Sequence, residues 1–249
     1  GCSKKRRTTK RRHTTFDRTK RMSLEERLLK IKSNIRTALK EPGRQDSIEI
    51  VAATKTRSFN TIIRAYNCGI TSIGENRIQE AEKKFLSFST MPKMKRRFIG
   101  HLQTNKVNKC LDMFDTIDSL DSTKLATKIS NRIIKTNQKI ECLIEVNTSG
   151  DKNKKGFAPD KINEMLECTA LENINIVGLM TLGPGSQKEQ ETRKSFSLLK
   201  NIKETLNNKI GNQQISTLSM GMSNDFTIAI EEGSNMVRLG TVLFGPRES

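Results

Sequence analysis

Ile48-Glu49-Ile50-Val51-Ala52-Ala53-Thr54-Lys55-Thr56 is the stretch that decides the fold. Six of its first seven residues are apolar, small or β-branched, the composition of a short strand covered on both faces, as in a parallel sheet. Lys55 follows the last of them. With side chains alternating along the strand, Lys55 points the same way as Val51 and Ala53, so an amine stands at the carboxyl end of a buried strand. Closed parallel barrels bind their ligands at that end, and an amine held there suits Schiff-base chemistry with an aldehyde. Read alone, Lys55 is an ordinary solvated strand end, and any further role depends on what the rest of the chain brings to it.

Outward from this strand, strand-like and helix-like segments alternate. On the amino-terminal side, Ser23 and Glu26 form a capping box, and Leu24, Leu28, Ile31, Ile35 and Ala38 recur at helical spacing until Pro42-Gly43. On the other side the periodicity predicts strands at 71–73, 97–99, 115–118, 140–146, 174–180, 215–218 and 236–239, which with 48–54 makes eight. Helices are expected between them, near 58–68, 76–88, 104–113, 122–137, 159–170, 187–209 and 224–232. Short connections in this order predict an α/β fold, a (β/α)8 TIM barrel with an extra N-terminal helix; a doubly wound open sheet is the alternative. No Pro/Gly/Ser-rich linker and no internal repeat divides the pattern. The expected organisation is a disordered basic tail over 1–22 and a single barrel domain over 23–249.

Composition narrows the classes of function. The formal net charge is +18, and half of it sits in residues 1–22, where ten Lys or Arg face one Asp. The remainder is moderately basic and poor in aromatics, and it carries no recognisable nucleic-acid-binding motif, so no specific nucleic-acid partner is expected. The tail has four readings: a solvated tail or upstream start, which is preferred, an acylated basic anchor, a transit peptide, or a nuclear address. No run of apolar residues is long enough for a membrane span, which leaves the tail as the sole route to a membrane. Five widely spaced cysteines without a Cys-x-x-Cys pair argue against a disulfide framework or a zinc site, and His13 and His101 are too few for a histidine metal centre.

The richest segment lies near the carboxyl end. Leu218-Ser219-Met220-Gly221-Met222-Ser223-Asn224-Asp225 joins a short strand to a helix that Ser223 or Asn224 would cap, and such a helix start suits a phosphate. Met236-Val237-Arg238-Leu239-Gly240-Thr241 follows, a last strand entering a turn whose backbone can approach a ligand. Barrels often bind phosphate in the loops after strands seven and eight. Taken singly, Gly221 and Gly240 read as turn glycines, Ser223 as a cap and Arg238 as an ion-pair partner. Together with Val51 to Thr56, Gly74-Glu75-Asn76-Arg77-Ile78-Gln79-Glu80, Phe98 to Lys106, Val146 to Gly150, Gly178 to Thr181 and Met236 to Gly245, they closely resemble the family of pyridoxal phosphate homeostasis proteins, related to the barrel domain of alanine racemase. The motifs run in family order through residues 48–249. The resemblance implies that Lys55 carries pyridoxal 5′-phosphate (PLP) as an internal aldimine and that Asn76 lies beside the ring. It also implies that Ser223, Gly240 and Thr241 hold the phosphate and that Arg238 faces the pyridine nitrogen. The sequence departs from the family at Arg77, where Tyr is usual, in the basic residues before Phe98, and in lacking a Pro after the lysine motif; these positions are expected to flank the pocket.

Two functions follow from the resemblance. The first is a PLP carrier in intracellular vitamin B6 homeostasis with no catalytic residue, delivering the cofactor to PLP-dependent apoenzymes. The alternative is a racemase-like enzyme with weak activity on amino acids. A guanidinium cannot accept a proton, so a ring nitrogen against Arg238 stays unprotonated and the ring is a poor electron sink. The racemase's second acid/base group, by resemblance a Tyr from an additional domain, has no counterpart, and Tyr66 is expected to pack outside the barrel. The carrier is therefore the preferred reading. A histidine orienting a loop is expected at His101, and packing around the pocket at Met180, Met220 and Met222. A monomer in the cytoplasm is expected, with the mitochondrion as the alternative if the tail is a targeting segment.

Overall fold

The computed structural model describes residues 22–40, 43–85, 88–186 and 188–246. The tail expected over 1–22 thus lies, Met22 apart, outside the described residues. Helices and strands alternate: α1 (Leu24–Lys40), β1 (Glu49–Ala53), α2 (Phe59–Asn67), β2 (Ser72–Glu75), α3 (Ile78–Phe85), β3 (Lys95–Phe98), α4 (Val107–Met113), β4 (Thr116–Leu120) and α5 (Thr123–Thr136). They continue as β5 (Ile140–Glu145), α6 (Ile162–Thr169), β6 (Ile174–Met180), α7 (Glu189–Ile210), β7 (Thr217–Ser219), α8 (Phe226–Glu231), β8 (Met236–Leu239) and α9 (Thr241–Phe244). All pairings are parallel, in sequence order, and β1 pairs with both β2 and β8. The sheet is therefore a closed barrel and not the open alternative. Each expected strand is present with its ends moved by at most two residues.

α1 begins on the capping box read from the sequence, with Glu26 N–H donating to Ser23 Oγ (3.1 Å) and Ser23 N–H to the Glu26 carboxylate (2.7 Å). It ends at Gly43, whose φ of +66° lets Gly43 N–H reach Lys40 O (3.0 Å) and Arg44 N–H reach Leu39 O (2.8 Å). The buried stripe Leu24, Leu28, Ile31, Ile35 and Ala38 packs outside the barrel, against α8 and α9. Two larger clusters fill the space between sheet and helices. A third, Val51, Leu143, Met180 and Met236, occupies the barrel interior.

The interior below that layer is polar. The basic residues before Phe98 do not all flank the pocket: Arg97 is 4% exposed and inside the barrel. Its guanidinium donates to Glu49 (2.9 Å), Ser72 Oγ (2.9 Å) and Asp118 (3.2 Å), and Thr116 Oγ1 donates to the same Asp118 (2.8 Å). Carboxylates on both sides hold Arg97 firmly charged against the cost of its burial. This ionic floor explains how Lys95-Arg96-Arg97, with no apolar residue, forms a strand: Lys95 pairs with Glu141, Arg96 grips Asp115 with two nitrogens, and Arg97 fills the centre. Removing one member of the buried pair, Arg97 or Asp118, costs about 3–5 kcal/mol.

Candidate functional site

The carboxyl ends of the strands carry a cavity of about 860 Å3 lined by Ala53, Met222, Ser223, Arg238, Gly240 and Thr241, with Pro184 to Ser186 on its far side. Four of the six residues singled out in the sequence, Ser223, Arg238, Gly240 and Thr241, therefore share one cavity. Its walls are the β7–α8 and β8–α9 loops. Gly221 turns the first of these at φ +99°, and a Cβ there would stand 2.6 Å from the Ala229 Cβ, so only glycine lets the loop lie on α8. Arg238 N–H donates to Gly221 O (3.0 Å), joining the turn to β8.

Capping differs from the expectation. Asp225, rather than Ser223 or Asn224, occupies the N-cap of α8, and its carboxylate accepts the Met222 N–H (2.6 Å). Ser223 Oγ instead accepts the Val242 N–H (3.1 Å), at the start of α9. The hydroxyl thus ties the two loops together across the cavity. The sequence could not reveal this because α9, four residues long, has no periodicity to detect.

Arg238 is 4% exposed and is locked by three neutral acceptors: Nη1 donates to Ser219 O (2.8 Å) and Ser219 Oγ (2.7 Å), and Nη2 to Thr181 O (2.8 Å). Among the described residues no carboxylate lies within ion-pair distance of it, although Asp118, Glu145 and Asp225 attract it from farther away. Burial pulls its pKa below the usual guanidinium value, against that attraction. The ion-pair alternative for Arg238 is thereby excluded among the described residues, and a fixed cation faces the cavity.

Lys55 and Asn76 lie apart from this group. Lys55 is half-buried, two residues beyond the end of β1, and its charge is felt by Glu80. Asn76 follows β2 and lines a second cavity of about 610 Å3 with Arg77, Lys83, His101 and Lys106. His101 Nδ1 meets Asp121 at 3.1 Å, linking the ends of β3 and β4 as a loop-orienting histidine does. Of the three methionines expected around the pocket, Met222 lines it and Met180 lies in the interior layer, whereas Met220 packs in the outer cluster. Tyr66 is half-buried on α2 against the helical layer outside the barrel.

Two groups escaped sequence reading. Glu145, 5% exposed at the end of β5, has its carboxyl raised to about 7 by burial and by Asp121, with Arg238 pulling the other way. Glu75, fully buried, lies with Lys84 and Glu80 beside the Lys55 turn. Glu75 was visible only as a motif letter, and neither Lys84 nor Glu145 carries a local signal. The four cysteines among the described residues are free, and no group of three or more His, Cys, Asp or Glu among those residues is arranged to hold a metal.

The fold and this strand-end site define a barrel of the alanine racemase class: the profile of the family "Alanine racemase, N-terminal domain" matches residues 27–248. A pyridoxal phosphate homeostasis protein of Aquifex aeolicus is 39% identical over 225 residues, covering 90% of this chain and 98% of that protein. The structure of PipY from Synechococcus elongatus PCC7942 with PLP bound is 28% identical, with a TM-score of 0.79 over 90% of this chain and 100% of that one. The alanine racemase of Clostridium difficile 630, 17% identical with a TM-score of 0.70, shares the fold, and this chain spans 58% of its length. The chain belongs to the family of pyridoxal phosphate homeostasis proteins.

Proposed function

We propose that the protein binds PLP, linked to Lys55 as a Schiff base, and serves as a carrier of that cofactor in vitamin B6 homeostasis. The observation that carries this reading is the gathering of Ser223, Arg238, Gly240 and Thr241 around one cavity at the barrel mouth. The cavity fits the group on the chain's own terms. Gly240 needs no smallness for the protein's sake, since a Cβ there would meet only Ala53, at 3.7 Å, and would otherwise occupy cavity space. Ser223 and Thr241 offer hydroxyls from two loops that Val242 N–H holds in register. The buried guanidinium of Arg238, fixed by carbonyl and hydroxyl oxygens, presents positive charge with no carboxylate among the described residues in ion-pair contact. An anion or a ring lone pair entering the cavity completes that charge, and because guanidinium does not accept protons, a ring nitrogen facing it stays unprotonated. PLP when bound supplies an aldehyde that an amine can capture. Lys55 is the amine proposed, and Asn76 a neighbour of the ring.

The test is reduction of the PLP-loaded protein with borohydride followed by peptide mapping. An adduct at Lys55, absent in Lys55→Ala while the variant still binds PLP weakly through the phosphate loops, is the expected result. An adduct mapping to another lysine would overturn the assignment.

The weak racemase-like reading retains one observation in its favour: Glu145, at the barrel mouth within electrostatic reach of Arg238, titrates at about 7, where an acid/base group is useful. Against it, Tyr66 lies outside the barrel. Incubation with D- and L-alanine in deuterated water separates the two. Slow α-proton exchange without inversion fits the carrier, and rapid inversion dependent on Lys55 fits the enzyme.

A further inference from the structure

The turn that presents Lys55 is held from behind by a polar cluster that has no part in the cavity of Ser223 and Arg238. Lys84, on α3, is 8% exposed, and its ammonium has three N–H donors. Three oxygens accept them: Thr54 O at 2.8 Å, Glu75 Oε1 at 2.7 Å and Glu80 Oε1 at 2.9 Å. Glu75 Oε1 also accepts Thr54 Oγ1–H (2.6 Å), and the Glu80 carboxylate accepts the Thr56 N–H. Thr54 N–H continues the ladder to Gly74 O (3.1 Å).

The consequence falls on one residue. Lys55 stands between two pinned peptide groups, with the carbonyl before it fixed by Lys84 and the N–H after it fixed by Glu80. The residue that follows, Thr56, has φ +62°, a left-handed conformation that a β-branched side chain rarely adopts and that costs on the order of 1–3 kcal/mol. A turn of this kind persists only when its surroundings over-determine it. Here the surroundings are the Arg57 N–H, which closes the turn on Thr54 O (2.9 Å), and Lys84 with its two carboxylates, Glu80 on α3 and Glu75 at the end of β2. Glu75 Oε2 is buried with no partner among the described residues, so the ammonium binds through the one oxygen that also takes Thr54, which concentrates the set on the turn.

We infer that Lys84, through Thr54 and Glu80, is the positioning residue that holds the Lys55 amine where it can condense with an aldehyde in the cavity. The inference rests on Lys55 being the cofactor lysine. It differs from a general packing role in what it governs, namely the imine and not the grip on the phosphate. Misplacing a reacting group by about 1 Å costs on the order of 10²-fold. The phosphate loops follow β7 and β8, on the side of β1 away from β2, whereas Lys84 reaches the turn from α3, which follows β2.

The experiment compares PLP with pyridoxine 5′-phosphate, which keeps the ring and phosphate but carries an alcohol in place of the aldehyde. The ratio of their dissociation constants reads the imine alone. In Lys84→Met the ratio is expected to fall on the order of 10²-fold towards unity, while the alcohol's affinity stays within about threefold of the parent's. Adding Lys84→Met to Lys55→Ala should cost nothing more in PLP affinity. Because Lys84→Met leaves two carboxylates unpaired and threatens folding, Glu80→Ala is the second variant. It spares the buried Glu75–Lys84 pair, removes the Glu80 bonds to Lys84 and to the Thr56 N–H, and should lower the ratio about tenfold through loss of the charge-assisted bond to the turn itself. An unchanged ratio in Glu80→Ala overturns the inference, as does an equal loss for both ligands in Lys84→Met. If the parent protein itself gives no reducible adduct at Lys55, the assignment of Lys55 falls, and this inference with it; an adduct at Lys55 with an unchanged ratio defeats the inference alone.

Discussion

Glu145→Gln is expected to stabilise the protein at neutral pH, and the size of the effect follows from the structure. The Glu145 carboxyl sits 5% exposed at the end of β5, where burial and Asp121 raise it from 4.5 to about 7 in spite of Arg238. In the folded chain the group therefore holds its proton more tightly than in the unfolded chain. Raising the pH from 4.5 ionises the unfolded chain first and draws the equilibrium towards it. The contribution to stability is complete below 4.5 and is lost by the time the pH has passed about 7. A shift of that width is worth about 3 kcal/mol. Glu145→Gln keeps the volume and removes the titration. The variant should match the parent near the acid end of the window and exceed it by up to about 3 kcal/mol above it, roughly 6–12 °C in Tm for a chain of this size. Urea unfolding of both proteins across the window reads the difference directly. Parallel stability profiles, with no divergence as the pH rises, would show that Glu145 is ionised in the fold at ordinary pH and would refute the argument.

At Gly240, where an added Cβ would meet only Ala53 at 3.7 Å, Gly240→Ala should leave Tm within about 2 °C. It should weaken PLP binding about tenfold by crowding the cavity, measured by absorbance titration; a fall in Tm matching the loss of affinity would contradict the view that this glycine makes room for a ligand. Arg97→Met removes the cation between Glu49 and Asp118 and should cost about 3–5 kcal/mol in urea unfolding. Arg97→Met combined with Asp118→Leu should recover much of that, and no recovery would mean that Arg97 stabilises by packing rather than by charge.

Local signals brought out most of the architecture. The capping box at Ser23 and Glu26, the apolar stripe of α1 and the short buried runs at β1, β6 and β8 are short-range features whose energies are decided by near neighbours, so they can be read along the chain. The order of those elements implied a barrel, and the strand-end motifs pointed to the residues that line its mouth. What the sequence alone did not reveal depends on contacts made only when the barrel closes. Lys95-Arg96-Arg97 has no strand pattern, and it pairs because Glu141, Asp115, Asp118 and Glu49 arrive from three other segments. Ser223 looks like a cap for the helix that follows it, yet its oxygen serves Val242, nineteen residues on, because β7 and β8 are neighbours. Lys84 reads as one basic residue in a solvated helix until α3 is laid over the end of β1, and Glu145 as an ordinary strand-end carboxylate until it is shut away from water. Periodicity and caps are fixed by the chain's own geometry, whereas the burial of a charge, and hence its partner and its proton, is set by which distant elements the closed sheet brings against it.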